Sequence, residues 1–305
     1  MEYKRFENGM SSLDRISLIP SIVEVKYSNY DLIKRFARQT LVEKPYRLNQ
    51  LADNLKCIDV FEIKYKSDGE IIEGFISLPK GARSNLPTMI FNRGGFLDMY
   101  KLRSDQFLFT HLANFAKLGF ATVASNLYTS PEDYDKDEIG GREILHITNL
   151  KQIIESSDIF DDFNIHMSGG SRGAFSTIHA LNKVDWVKSA TIWSCLYDLE
   201  KEVISRPKVM HKVLSRYNFD NDQDFYLKRS PVHIDLSSIQ QPLLIFHGQN
   251  DYLVPVEDAY YFFDKIKINN PRSQLIVLPN SSHTIDPDIE SFYELFDLFI
   301  NSFNP

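Results

Sequence analysis

Short apolar runs alternate with amphipathic stretches along most of the chain between residues 88 and 303, and this rhythm constrains the fold more than any other feature. The runs predict strands at Thr88–Phe91, Phe120–Ala124, Phe163–Met167, Ala190–Trp193, Leu243–Phe246 and Gln274–Leu278. The stretches predict helices at Gln106–Leu118, Arg142–Ile154, Arg172–Leu181, Glu257–Ile266 and Ile289–Phe303. Strands that alternate with helices favour a mostly parallel sheet with helices on both faces.

Two β-rich runs precede this alternation and flank the turn Ser67-Asp68-Gly69. An Asp-Gly pair between such runs predicts an antiparallel hairpin. A leading hairpin followed by a parallel α/β sheet is the layout of an α/β-hydrolase. We therefore expect an N-terminal helical extension over residues 1–56, an α/β-hydrolase domain over 57–305, and a short helical lid inserted at about 198–230.

Composition excludes several classes of protein. The chain has 305 residues and a formal net charge of −7, so its bulk charge does not attract nucleic acid. Its two cysteines, Cys57 and Cys195, make no disulfide framework, and no CxxC pair suggests a metal site. The N-terminus lacks the apolar core of a signal peptide, and the apolar stretch Phe107–Ala124 is interrupted by polar residues, so no membrane span is predicted. We expect a cytoplasmic protein.

The segment most informative about chemistry is Gly169-Gly170-Ser171-Arg172-Gly173, which lies between a predicted strand and a predicted helix. A Gly-x-Ser-x-Gly sequence in that setting is typical of a nucleophile on a sharp, strained turn. The helix that follows directs its positive end to the place where negative charge develops in acyl transfer. The alternative is an ordinary glycine-rich turn with a serine that caps the helix.

A nucleophilic serine requires a base and an acid that orients the base. Asp251 follows the predicted strand Leu243–Phe246, and His283 lies in the loop after the predicted strand Gln274–Leu278. Active-site residues of open α/β sheets gather at such strand ends. Asp198, which follows an earlier strand, is the rival acid.

The remaining candidate groups favour structural interpretations. His166 lies within a strand pattern and His179 within a helix, whereas His247 precedes a glycine at a strand end and is expected to support the acid loop. Cys195 is expected to be a buried small side chain. The proposed chemistry requires no cofactor and no metal.

An oxyanion hole is predicted where two backbone N–H groups can reach a substrate oxygen. Gly94 and Gly95 follow the strand Thr88–Phe91, and the amide of Arg172 supplies the second donor. The neighbouring Arg93 and Phe96 are candidates for substrate contact. The two glycines alone are equally consistent with a simple turn.

These residues together resemble the catalytic domain of the prolyl oligopeptidase family of serine peptidases, from about residue 71 to 303. Besides the serine turn, the segments Asp137-Glu138-Ile139-Gly140-Gly141, Lys228-Arg229-Ser230-Pro231, Phe246–Asp251 and Ser282-His283 fit the family pattern in order. The resemblance implies that Ser171 is the nucleophile, Asp251 the orienting acid and His283 the general base.

Two departures from the family pattern limit what it implies. Arg93 occupies the place where the family usually has Tyr or His, and about 70 residues precede the resemblance, fewer than a β-propeller needs. Peptidase specificity therefore does not follow, and the expected substrate is a small molecule or a short peptide. A carboxylesterase, a thioesterase or an acyltransferase uses the same triad, and a catalytically silent binding protein is the alternative outside the enzymes. The sequence leaves the oligomeric state open.

Overall fold

A computed structural model describes residues 10–29, 53–82, 84–95, 106–128, 136–214 and 223–303. The chain forms two compact units. The first comprises residues 1–91, 100–129 and 145–165, and the second comprises 92–99, 130–144 and 166–305. No helix among the described residues has both the length and the apolar character needed to span a bilayer.

The first unit contains the N-terminal antiparallel strands. Its elements are α1 (Ser12–Ser17), β1 (Ile22–Tyr27), β2 (Ile58–Ser67), β3 (Glu70–Pro79), β4 (Leu86–Asn92), α2 (Gln106–Lys117), β5 (Ala121–Ser125), α3 (Ile144–Thr148) and α4 (Leu150–Glu155). The strand order is β1-β2-β3-β5-β4, in which only β4 and β5 pair in parallel.

The predicted hairpin is confirmed as β2 and β3. Asp68 and Gly69 connect the two strands with φ of 51° and 80°, the left-handed pair that a two-residue turn of this kind requires. In the same unit, the Tyr65 hydroxyl is buried within a polar network and donates to the carbonyl oxygen of His146 at 2.7 Å. This hydrogen bond satisfies the buried hydroxyl of Tyr65 within the unit.

The N-terminal extension is not only helical, which corrects that part of the sequence prediction. Ile22–Tyr27 forms β1 and pairs antiparallel with β2, with Val25 opposite Ile63. Its β-branched residues suit an extended chain, and the neighbouring β2 supplies the hydrogen-bond partners that a single strand lacks. Most of the helical prediction for residues 31–55 lies outside the described residues. The boundary at 56/57 and the lid at 198–230 remain predictions.

The second unit contains the parallel part of the sheet. Its elements are the end of β6 (Phe160–Gly170), α5 (Arg172–Leu181), β7 (Ser189–Trp193), α6 (Leu199–Ser205), α7 (Pro207–Leu214), α8 (Gln223–Arg229), β8 (Leu243–Gly248), α9 (Val256–Asn269), β9 (Gln274–Leu278), a 3₁₀ turn (Asp286–Asp288) and α10 (Ile289–Asn301). Strands β6 to β9 lie side by side in chain order and are all parallel.

The apolar runs of β7 and β8 are continuous because every residue of both strands is buried. Phe292 of α10 packs against Trp193 and Phe246, with ring centroids 5.4 and 4.6 Å apart. These contacts pack α10 against β7 and β8, and the loops that follow the strands of this unit carry the candidate residues.

Candidate active site

The serine of the Gly-x-Ser-x-Gly segment sits on a strained turn between β6 and α5. Ser171 has φ of 55° and ψ of −122°, a conformation that L-residues rarely adopt, and its N–H donates to the carbonyl oxygen of Trp193 at 2.9 Å. A Cβ added to Gly173 would lie 2.0 Å from the carbonyl oxygen of Asn92, and one added to Gly169 would lie 2.5 Å from the backbone of Gly173. The two glycines therefore permit the close packing that holds the turn.

Ser171, His283 and Asp251 form a continuous hydrogen-bonded chain. The Nε2 atom of His283 lies 3.0 Å from the Oγ atom of Ser171. On the other side of the ring, Nδ1 lies 2.9 Å from Oδ2 and 3.2 Å from Oδ1 of Asp251. This arrangement suits transfer of the hydroxyl proton to the imidazole while the carboxylate holds the ring.

Asp251 is positioned by its own loop. Its Oδ1 atom accepts hydrogen bonds from the N–H groups of Leu253 (2.9 Å) and Val254 (3.0 Å), and its Oδ2 atom lies 3.3 Å from Nε2 of His247. Burial by itself raises the pKa of this carboxyl, but the interactions with His247, His283 and the Val254 N–H outweigh it and hold the pKa well below its ordinary value. Asp251 is therefore expected to be ionised at neutral pH.

The two alternatives raised for the acid and the base have other positions. His247 is fully buried and its Nε2 atom lies 2.9 Å from the carbonyl oxygen of Val254, so it supports the acid loop as expected. Asp198 instead caps α6, where its Oδ1 atom accepts from the N–H groups of Glu200 and Lys201. Cys195 is buried, as the sequence indicates.

The glycine loop after β4 passes directly beside the serine. A Cβ added to Gly94 would lie 3.2 Å from the carbonyl oxygen of Gly170 and 3.7 Å from Cβ of Ser171, and Gly95 has φ of 77°. Arg93 is almost fully buried, and its Nη1 atom donates to the carbonyl oxygens of Gly94 (3.0 Å) and Gly95 (3.4 Å). This role of Arg93 in holding the loop was not anticipated from the sequence. Phe96 lies outside the described residues.

The family model for the prolyl oligopeptidase family matches residues 107–301, almost two thirds of the chain, and includes the serine, the aspartate and the histidine. The chain belongs to the prolyl oligopeptidase family.

Two similar curated proteins match this chain over only part of their own length. The acylamino-acid-releasing enzyme of Mus musculus is 23% identical over 62% of this chain and 27% of its own length. An uncharacterized peptidase, YuxL of Bacillus subtilis, is 23% identical over 73% of this chain and 35% of its own length. The chain thus spans about a third or less of these relatives.

Solved structures confirm the α/β-hydrolase fold. An acylaminoacyl peptidase of Pyrococcus horikoshii has a TM-score of 0.68 at 20% identity and is matched over 83% of this chain and 43% of its own. An esterase of Pyrococcus furiosus has a TM-score of 0.61 at 18% identity, and here the match covers 79% of this chain and 91% of the esterase. At such identities the likeness concerns the fold alone.

The side chain of Arg172 lies beside two carboxylates, which were not among the site residues predicted from the sequence. Asp137 lies 2.6 Å and Glu143 3.8 Å from its Nη2 atom, and all three side chains are buried. Asp137 belongs to the acidic Gly-Gly segment on which the family resemblance rests, and that segment was the available signal. In the structure, Asp137 of this segment forms an ion pair with Arg172, the residue after the serine.

The pKa values of the two carboxyls move in opposite directions. Burial raises the pKa of Asp137, but the charge and hydrogen bond of Arg172, with smaller contributions from the Ile139 N–H and Arg93, lower it overall. For Glu143, burial and the charge of Asp137 raise the pKa to about 7, against the weaker attraction of Arg172. The cluster therefore contains one carboxylate that is firmly ionised and one that titrates near neutrality.

Cationic residues of the predicted lid contact groups of the protein itself. The Arg206 guanidinium is hydrogen-bonded to the buried carboxylate of Glu202. Arg229 donates from Nε to the carbonyl oxygen of Glu138 at 2.7 Å. These two arginines therefore bind groups within the second unit.

Proposed function

We propose that this chain hydrolyses ester or amide bonds of small acyl compounds or short peptides through an acyl-enzyme intermediate. Ser171 is the nucleophile, His283 the general base and Asp251 the orienting acid. The observation that carries the proposal is the unbroken chain of contacts, 3.0 Å from His283 to the serine oxygen and 2.9 Å from His283 to the aspartate.

In the first step, the Ser171 oxygen attacks the substrate carbonyl as its proton passes to Nε2 of His283. The ionised Asp251 stabilises the imidazolium that results, because it already binds Nδ1. The N–H groups of Gly94 or Gly95 and of Arg172 hold the negatively charged oxygen. Loss of one donor of this kind typically lowers the rate by about 10²–10³-fold.

In the second step, the imidazolium returns its proton to the leaving group, and the bond between the carbonyl carbon and that group breaks. Water then attacks the acyl-enzyme while His283 takes one of its protons. The bond between the acyl carbon and the Ser171 oxygen breaks, His283 returns that proton to the serine oxygen, and the acid is released. None of these steps requires a metal or an organic cofactor.

A carboxylesterase or thioesterase is the second candidate function. It is supported by the similarity to a putative esterase, YitV of Bacillus subtilis, which is 28% identical over 47% of this chain and 60% of its own length. Both cysteines are unpaired in disulfide terms, which suits the cytoplasmic location that we propose.

A fluorophosphonate probe tests the proposed nucleophile. Wild type and Ser176→Ala, a buried serine in the same helix, are expected to be labelled, and Ser171→Ala is not. Absence of labelling on well-folded wild type would contradict the proposal and favour a silent binding protein. If wild type is labelled, its turnover of aryl esters, thioesters and peptide anilides is then compared, which separates an esterase from a peptidase.

A further inference from the structure

A buried ion cluster lies directly behind the proposed nucleophile. The guanidinium of Arg172 is only 1% exposed, and its Nη2 atom lies 2.6 Å from a carboxylate oxygen of Asp137. Glu143 is the second carboxylate, 3.8 Å from the same nitrogen and without exposed side-chain surface. A buried charge of this kind is costly unless it is paired, and Asp137 is the direct partner of the guanidinium.

The loop between Asp137 and Glu143 holds both carboxylates through its own backbone. Asp137 accepts from the N–H of Ile139 at 3.2 Å, and Glu143 accepts from the N–H groups of Gly140 and Gly141. Ile139 and Gly140 reach these positions with φ of 51° and 87°. Because the carboxylates are bound to backbone groups, neither can follow the arginine if the arginine moves.

The same loop is also attached to the helix that starts at Arg172. A Cβ added to Gly140 would lie 2.8 Å from Nε2 of His179, a residue of α5. The His179 Nε2 atom is 2.7 Å from the carbonyl oxygen of Arg229, and Arg229 donates to the carbonyl oxygen of Glu138. The loop therefore packs against α5 at His179, and the first side chain of α5, Arg172, is paired with Asp137 of the loop.

This attachment acts on the peptide that joins Ser171 to Arg172. The ψ of Ser171, −122°, sets the direction of the Arg172 N–H, and that N–H is one of those at a helix start that no turn of the helix satisfies. A strained conformation persists only where the surroundings over-determine it. The clamped side chain of Arg172 supplies such a constraint one residue beyond the serine.

We propose that Arg172, Asp137 and Glu143 are positioning residues, which hold the Ser171–Arg172 peptide so that its N–H faces the oxygen that becomes negative during acyl transfer. The inference rests on the proposed function, since it assigns these side chains a part in the same reaction. None of the three side chains touches the reacting atoms; each acts through the backbone at Arg172.

The test compares kcat per active site with KM for the charge-balanced variant Arg172→Met/Asp137→Asn. Active sites are counted from the end point, not the rate, of fluorophosphonate labelling. A positioning role predicts that kcat per labelled site falls roughly 10- to 100-fold, because a donor that is misdirected loses part of its effect. KM is expected to change by less than about threefold, since the interaction is made in the transition state.

The control is Asn270→Ala, which removes buried hydrogen bonds to the carbonyl oxygens of Ile239 and Gln241 elsewhere in the second unit. A purely structural role would make the double variant resemble this control, with fewer active sites and unchanged kcat per site. That outcome overturns the inference and leaves the proposed function standing.

Two single variants complete the experiment. Arg172→Lys retains a charge opposite Asp137 and is expected to recover part of the lost kcat per site. If the double variant does not fold, Asp137→Asn alone carries the comparison, and an unchanged kcat per site in that variant contradicts the inference. If wild type itself is neither labelled nor active, the proposed function fails and the inference fails with it.

Discussion

Replacement of Glu143 by glutamine is expected to remove the part of the pH dependence of stability that arises from titration of this side chain. Burial and the neighbouring Asp137 raise the pKa of Glu143 from 4.5 to about 7, despite the attraction of Arg172. Between these two values the folded chain holds a proton on Glu143 that the unfolded chain has released. The free energy of unfolding therefore falls as pH rises through this window.

The size of the effect follows from the shift in pKa. Each unit corresponds to about 1.36 kcal/mol, so full titration of Glu143 lowers the stability of wild type relative to Glu143→Gln by on the order of 3 kcal/mol. Glutamine stays neutral throughout and retains an oxygen that can accept from the N–H groups of Gly140 and Gly141. The two proteins should thus be closest to each other near pH 4.5 and differ most above pH 7.

Urea unfolding of both proteins at intervals between about pH 4.5 and 8 measures the difference directly, since other titrating groups cancel. In an Asp137→Asn background the same comparison should give a smaller change, because one cause of the raised pKa is absent. Glu138→Gln, in the same loop, controls for the loss of a carboxylate. A stability difference that instead increases with pH in favour of wild type would refute the reasoning, because it would mean that attraction by Arg172 exceeds burial and repulsion.

Two further changes test the site and its packing. Asp251→Asn is expected to lower kcat roughly 10⁴-fold, because the amide no longer holds the imidazole in the required form; steady-state kinetics measure this. Little stability is lost, because the amide oxygen still accepts from the loop N–H groups. Gly173→Ala is expected to lower the free energy of unfolding by about 1–3 kcal/mol, because its Cβ would lie 2.0 Å from the carbonyl oxygen of Asn92; urea unfolding measures this.

Each of these two changes has a matched control. Asp198→Asn alters the rival carboxylate, which caps α6, and is expected to leave kcat within about threefold of wild type. An equal loss of kcat in both aspartate variants would contradict the assignment of Asp251. Ser176→Ala changes the same helix as Gly173→Ala without adding an atom, and equal stability losses in the two would show that backbone crowding is not the cause.

Local sequence patterns predicted much of the fold. The strands β7 and β8 agree with their predictions to within two residues, because buried parallel strands are continuous apolar runs. Strand β9, which is only partly buried, has its predicted bounds. The hairpin was found from Asp68-Gly69. Strand β1 was not predicted. Its β-branched residues suit an extended chain, but its pairing with β2 is a contact between distant segments that the local sequence does not show.

The sequence by itself indicated that Ser171, Asp251 and His283 lie at one edge of the sheet. Each follows a predicted strand by a few residues, and parallel strands bring their carboxyl ends to the same edge. Only the tertiary structure decided that His283 meets Asp251 while Asp198 caps a helix, that Arg93 folds back on its own loop, and that Arg172 is clamped between two carboxylates. Periodicity reports the face on which a residue lies, but pairing between charges distant in sequence, such as Arg172 and Asp137, depends on the path of the loop that joins them. That path is set by backbone hydrogen bonds and burial, which no local pattern encodes.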